Sequence, residues 1–140
     1  LCYSYHHHNT EKLANAIAAI LEAEVKTPQQ INFAELTEYD LIGFGSGIYG
    51  SSHHQSLLDL SDNFPQGANG KTFLFSTCGV PAFALEQGEV DDYVAKSHAP
   101  LKTRLQAKGY AVVDEFICPG LNTNSFLKNV YMIIGMEGLR

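Results

Sequence analysis

A doubly wound α/β sandwich, five parallel strands in the order 2-1-3-4-5 with helices on both faces, is the fold class that this sequence predicts. Three observations lead to it. Short apolar or β-branched runs alternate with amphipathic helical patterns along the chain, which implies parallel strands joined by right-handed helical crossovers. The third run, Tyr39-Asp40-Leu41-Ile42-Gly43-Phe44-Gly45-Ser46, lacks polar alternation in its core, as expected of a strand covered on both faces. Small and polar residues cluster at three strand ends, in residues 4–10, 46–52 and 77–81. In open α/β sheets ligands bind outside the carboxyl ends of the strands, at the switch point in strand order. The first two loops flank that point, and the third lies one strand further along the same rim.

Each element has its own signal. Leu1-Cys2-Tyr3 reads as the tail of a first strand. A helix follows from Thr10 to about Ala23, capped by Asn9 or Thr10, with Leu13, Ile17, Ile20 and Leu21 on one stripe. Residues 24–27 read as a short second strand that Pro28 ends, and residues 31–36 as a connection. Gly47-Ile48-Tyr49-Gly50-Ser51-Ser52 reads as a loop after the third strand. The second helix spans roughly residues 54–64, with Leu57, Leu58 and Leu60 as its apolar positions. Thr72-Phe73-Leu74-Phe75-Ser76 is strongly β-forming and makes the fourth strand. Residues 82–97 read as irregular or partly helical. The third helix runs from about His98 to Lys108, with Pro100 in its first turn and Gly109 as its stop. Residues 110–118 form the fifth strand. The pattern then asks for a last helix, and residues 126–135 are the stretch available for it.

Composition bounds the reading. A chain of 140 residues suggests one domain over residues 1–140, and the abrupt start at Leu1 suggests that residues upstream are missing. No run approaches the roughly 20 apolar residues of a membrane span. Cys2, Cys78 and Cys118 are odd in number and lack a CxxC spacing, which points to a reducing, cytoplasmic setting rather than a disulfide framework. A net charge of −6 argues against nucleic acid as a partner.

The chemistry begins in Ser4-Tyr5-His6-His7-His8-Asn9-Thr10. This loop carries hydroxyls, an amide and imidazoles, and no acid until Glu11. It leads into a helix, where free N–H groups and the helix dipole favour an anion, so it reads as a phosphate loop. The three adjacent histidines do not read as a metal site, because neighbours on a turn rarely converge on one ion and no Cys or carboxylate pair supports them. No Gly-x-Gly-x-x-Gly follows the first strand, and no Walker loop or Gly-x-Ser-x-Gly elbow is present. A receiver domain would end its third strand in aspartate, and this one ends in Gly45-Ser46.

Three motifs together resemble the flavodoxin family. Residues 3–12 resemble its FMN-phosphate loop, Gly45-Ser46-Gly47-Ile48-Tyr49-Gly50 its first ring loop, and Phe75-Ser76-Thr77-Cys78-Gly79 its second. The resemblance implies FMN as cofactor, with Ser4, Asn9 and Thr10 on the phosphate and the backbone of His6, His7 and His8 around it. It departs from the family at His8, where glycine is usual, and at His7, where threonine is common. It also implies that the ring lies between Gly47, Ile48, Tyr49 and Gly50 on one side and Thr77, Cys78 and Gly79 on the other. Tyr49 would stack on the ring. Gly47 and Gly50 are both candidates for the glycine whose carbonyl turns over when the ring is reduced. Cys78 reads as a small apolar wall rather than a nucleophile, having no basic neighbour in sequence. The implied function is low-potential electron transfer with redox partner proteins, without a catalytic acid or base. Apolar, acid-flanked surroundings would lower the flavin's potential. The alternatives are an FMN-dependent NAD(P)H:quinone or small-molecule reductase, with residues 82–97 lining its pocket, and a module of this fold that has lost flavin.

Overall fold

The computed structural model describes residues 9–66, 70–78 and 87–119. Their elements in chain order are helix α1 (Asn9–Leu21), two short 3₁₀ helices (Pro28–Gln30 and Phe33–Glu38), strand β1 (Leu41–Tyr49) and strand β2 (Ser52–His53). Helix α2 (Gln55–Asp62), strand β3 (Lys71–Cys78), helix α3 (Gln87–Ala107) and strand β4 (Ala111–Pro119) complete the set.

The sheet has the order β2-β1-β3-β4. β1 pairs with β3, and β3 with β4, in parallel, while β2 is an antiparallel return from β1. The three long strands are the third, fourth and fifth runs of the sequence, and they neighbour one another in the order expected. The first expected strand, residues 1–3, lies outside the described residues. Residues 24–27 are not a strand, which corrects the reading above. An extended segment becomes a strand only by pairing, and in the order 2-1-3-4-5 the neighbour of this one would be residues 1–3. Instead Lys26 Nζ lies 3.3 Å from Glu35 Oε2, and Tyr39 Oη donates to Glu24 Oε2 at 3.4 Å.

Side chains alternate between two cores across the sheet. One face carries Phe73, Phe75, Phe116 and Cys118 against Leu13, Ala14 and Ile17 of α1. Ile20 lies at the border of that stripe, 38% exposed. The three phenyl rings stack in near-parallel planes with centroids 5.9–6.3 Å apart. β1 offers this face no side chain at Gly43 and Gly45, and the rings of Phe73 and Phe75 fill the space where a Cβ would stand. The other face packs Ile42, Phe44 and Leu74 against Leu57, Leu58 and Leu60 of α2 and Leu101 and Leu105 of α3.

The helices end for local reasons. α1 closes with Glu22 at φ 53° and an Ala23 N–H to Ala18 O bond of 2.9 Å, the pattern that usually uses glycine. α2 begins one residue later than expected because His54 is its cap: Nδ1 accepts from Ser56 N at 3.1 Å and the His54 carbonyl accepts from Leu57 N at 3.0 Å. α3 is twice the expected length. It starts at Gln87 and carries Pro100 in its interior rather than its first turn. Proline lacks the N–H for an i−4 bond, and the packing of Leu101 and Leu105, both fully buried, holds the helix across that gap.

Candidate functional site

The site grows from the carboxyl ends of β1 and β3 and the amino end of α1. Thr77 stands one residue before the end of β3, on the face that α1 covers. Thr10 stands in the first turn of α1. Their hydroxyls meet at 2.8 Å, and both residues are buried. Two hydroxyls share one bond here, so the hydrogen of the accepting hydroxyl is available to another acceptor. Thr77 is also the register partner of Gly47 on β1. A Cβ at Gly47 would lie 3.2 Å from the ring of Tyr49, so that ring leans back over Gly47. Thr10, Thr77, Gly47 and Tyr49 therefore form one row along the rim.

The segment after Ser46 is a hairpin rather than the loop expected. β1 runs through Gly47 and Ile48 to Tyr49, and the chain returns as β2, with Ile48 opposite His53 and Tyr49 opposite Ser52. Gly50 and Ser51 make the turn with φ of 56° and 61°. Two successive positive φ values define the tight turn whose twist matches a hairpin. Ile48 points to the opposite face from Gly47 and Tyr49 and so leaves the row. Tyr49 is 40% exposed, its ring set edge-on to His54 at 5.2 Å. Ser46 Oγ donates to the Gly47 carbonyl at 2.6 Å and accepts from His54 N at 2.9 Å. That fastens the Gly47 peptide. At Gly50 an added Cβ would meet nothing within 4 Å.

Among the predicted site residues, Asn9, Thr10, Gly47, Tyr49, Gly50 and Thr77 are brought to one rim. Cys78 ends β3 beside them. Ser4, His6, His7, His8 and Gly79 lie outside the described residues. A cleft of about 600 Å³ between α1, residues 31–40 and the strand start at Leu41 lies at the opposite end of the strands.

Beneath the rim, on the α2/α3 face, lies a cluster that sequence reasoning missed. His53 Nε2 bonds the Phe75 carbonyl at 3.0 Å, and its ring centroid is 4.6 Å from that of His98. His98 Nε2 lies 2.7 Å from Ser76 Oγ. Its Nδ1 is 3.5 Å from Glu115 Oε1, whose other oxygen accepts from Lys102 Nζ at 2.9 Å. Both histidines are fully buried. Burial pushes His53 down to about 3, with the neighbouring His98 adding to it, and pushes His98 down to about 4, helped by Lys102. The available signal was Ser46 and Ser76, which occupy facing positions on two strands covered on both sides. A serine there needs a polar partner from a helix, and His54 and His98 supply one each.

The Thr10–Thr77 pair yields a direct expectation. Thr10→Val and Thr77→Val should each lose about 1–3 kcal/mol, because each strands a buried hydroxyl. The double variant should lose less than the sum of the two. Urea unfolding of the four proteins measures this, and strict additivity would show that the hydroxyls are uncoupled.

The comparisons with known proteins agree with this architecture. The model of the flavodoxin domain matches residues 1–114. An uncharacterised protein of Methanocaldococcus jannaschii is 37% identical over 125 residues, covering 89% of this chain and 76% of that protein. A flavodoxin from the domain Archaea superposes with a TM-score of 0.62 at 17% identity, covering 95% of this chain and 90% of its own. A flavodoxin, WrbA-like protein from Agrobacterium tumefaciens gives a TM-score of 0.62 at 14% identity, covering 95% and 89%. At such identities the two structures speak for the fold alone. Among the described residues no helix is long and apolar enough to cross a membrane.

Proposed function

We propose a function from one premise: this chain belongs to the flavodoxin family. The chain binds FMN at the rim just described and serves low-potential electron transfer with redox partner proteins. The observation that carries this reading is the Thr10–Thr77 contact, which joins the start of the expected phosphate helix to the strand end expected beside the ring.

The residues present suit the group. The first-turn amides of α1 face an anion favourably, with Asn9 and one spare hydroxyl hydrogen of the Thr10–Thr77 pair beside them. The hydroxyl-rich residues 4–8 precede them in sequence. Tyr49 offers a half-exposed aromatic face to a flat ring. With the Gly47 carbonyl held by Ser46, Gly50 is the peptide free to reorient as the ring changes charge. Its positive φ and open surroundings suit that role. The flavin, when bound, supplies the electron chemistry, and the protein supplies orientation and tuning. The reading keeps the cytoplasmic setting.

The visible spectrum of the purified protein, with identification of any ligand released by heat, is the first test. Flavin absorption and released FMN are expected. A protein that is colourless and stays so with added FMN would overturn the reading. Steady NAD(P)H oxidation with a quinone and no separate reductase would make it an enzyme instead. Thr10→Val sharpens the phosphate assignment: affinity for FMN should fall by more than affinity for riboflavin, and equal losses would remove Thr10 from the phosphate site.

A further inference from the structure

We propose that His53 is the positioning residue of the ring-binding hairpin: as a neutral ring it fastens the turn between Tyr49 and Ser52 to β3, and as a cation it lets that turn go. The link to flavin rests on the proposed function; the fastening itself does not.

The hairpin is held by pairing with β1, by packing against α3 and by side-chain ties to the sheet. β2 contributes two register pairs, Ile48 with His53 and Tyr49 with Ser52. The His53 ring reaches past β1 to the Phe75 carbonyl on the next strand, at 3.0 Å, and is 1% exposed. The second tie is the His54 amide on Ser46 Oγ. With Nε2–H donated to a carbonyl, the uncharged ring has Nδ1 bare, and that atom has no hydrogen-bond partner among the described residues. Bare and neutral is tolerable in an apolar setting. Protonated, the same atom becomes a buried donor without an acceptor on a buried charge.

The groups facing the ring do not relieve that charge. From α3, His98 stands at 4.6 Å and opposes it, and Lys102 lies behind His98. From β4, Glu115 would favour it but is held by Lys102 at 2.9 Å. β3 presents the Phe75 carbonyl and Ser76 Oγ, the latter bonded to His98. At the start of α2, His54 directs Nδ1 to Ser56. Protonation is therefore coupled to departure: the ring takes its proton where water can reach it, with the hairpin lifted. His53 resists protonation in place, being pushed down to about 3 from 6.5. Each opening then takes up one proton, and the open population rises tenfold per pH unit below about 6.5.

Hydrogen exchange of the flavin-free protein between pH 7 and 5 reads this directly. The Ser52 and His54 amides should be less protected than those of β3, and their protection factors should fall tenfold per unit below pH 6.5. In His53→Phe, which keeps a ring and takes no proton, the fall should vanish. If that variant does not fold, His53→Gln serves: it keeps an N–H donor for the Phe75 carbonyl and takes no proton, so the fall should vanish there too. Protection equal to that of β3 at every pH, or a fall unchanged in the variants, would overturn the proposal. The flavin arm uses riboflavin, which lacks the titrating phosphate. With riboflavin at ten times its dissociation constant, protection of the Ser52 and His54 amides should rise about tenfold at each pH. Riboflavin binding that leaves their protection unchanged would overturn the coupling of hairpin to ring. Failure to bind any flavin, with the exchange result intact, counts against the proposed function and not against the latch.

Discussion

Gly45→Ala is expected to prevent stable folding or to remove at least about 3 kcal/mol, the upper end of the range for overpacked cores. The new Cβ would stand 2.0–2.5 Å from three atoms of the Phe75 ring. A flexible neighbour could swing aside, but Phe75 cannot. It is 3% exposed and stacked on Phe73 and Phe116 at 5.9 Å each, with α1 above the stack. The damage belongs to the glycine–phenylalanine pair. Phe75→Leu should therefore restore part of the stability of Gly45→Ala, although on its own it destabilises. Urea unfolding of the two single variants and the double measures the coupling. A Gly45→Ala protein with an unchanged midpoint, or one made worse by Phe75→Leu, would show that the rings do not fill the strand in this way.

The second large effect is on acid stability. His53 and His98 ordinarily titrate near 6.5, and in the folded protein they are pushed down to about 3 and about 4. Both are lowered, so the unfolded chain binds more protons than the folded one below pH 6.5. The stabilisation from keeping them neutral is fully present above that pH and is lost as pH falls toward 4. Each histidine contributes a slope of at most about 1.4 kcal/mol per pH unit, so the two together approach about 2.7. Unfolding midpoints between pH 7 and 5, above the range of ordinary carboxylates, test this. His98→Phe should halve the slope. Native stability that holds constant across that window would mean the pair is not buried neutral in solution. Whole-molecule unfolding takes up protons at both His53 and His98, and hairpin opening at His53, which keeps this measurement separate from exchange at Ser52 and His54.

How far the sequence could be read depended on where the deciding interactions lie. β1 and β3 were legible because each is a long run covered on both faces, which leaves its mark residue by residue: Ile42, Phe44, Leu74 and Phe75 are all buried. Two of the three family motifs were legible for the same reason, since they sit at the ends of β1 and β3. The hairpin was not. Gly47-Ile48-Tyr49-Gly50-Ser51-Ser52 has the composition of a loop, and its strand character comes from pairing with two residues that carry no β signal alone. The length of α3 was misread because Pro100 looks like a first-turn residue locally, while tertiary packing of Leu101 and Leu105 carries the helix through it. Strand status for residues 24–27 depends on a partner, which no local pattern supplies. The His53–His98 cluster was invisible because its members come from β2, β3, α3 and β4, and only the fold assembles them. The Thr10–Thr77 bond spans 67 residues; each threonine was read as a site residue, but their contact could not be.

The turn at Gly50 and Ser51 has an evolutionary side. Its second residue sits at φ 61° with a side chain attached, a conformation that costs an ordinary residue about 1–2 kcal/mol and that glycine or asparagine adopts more readily. One codon change would supply either. Selection removes variants that fall below the stability a protein needs, and it leaves attainable stability unclaimed where flexibility is useful. Lineages in which this position drifts to glycine or asparagine should carry a stiffer hairpin, so sequence variation at residue 51 becomes a record of how tightly each descendant closes its rim.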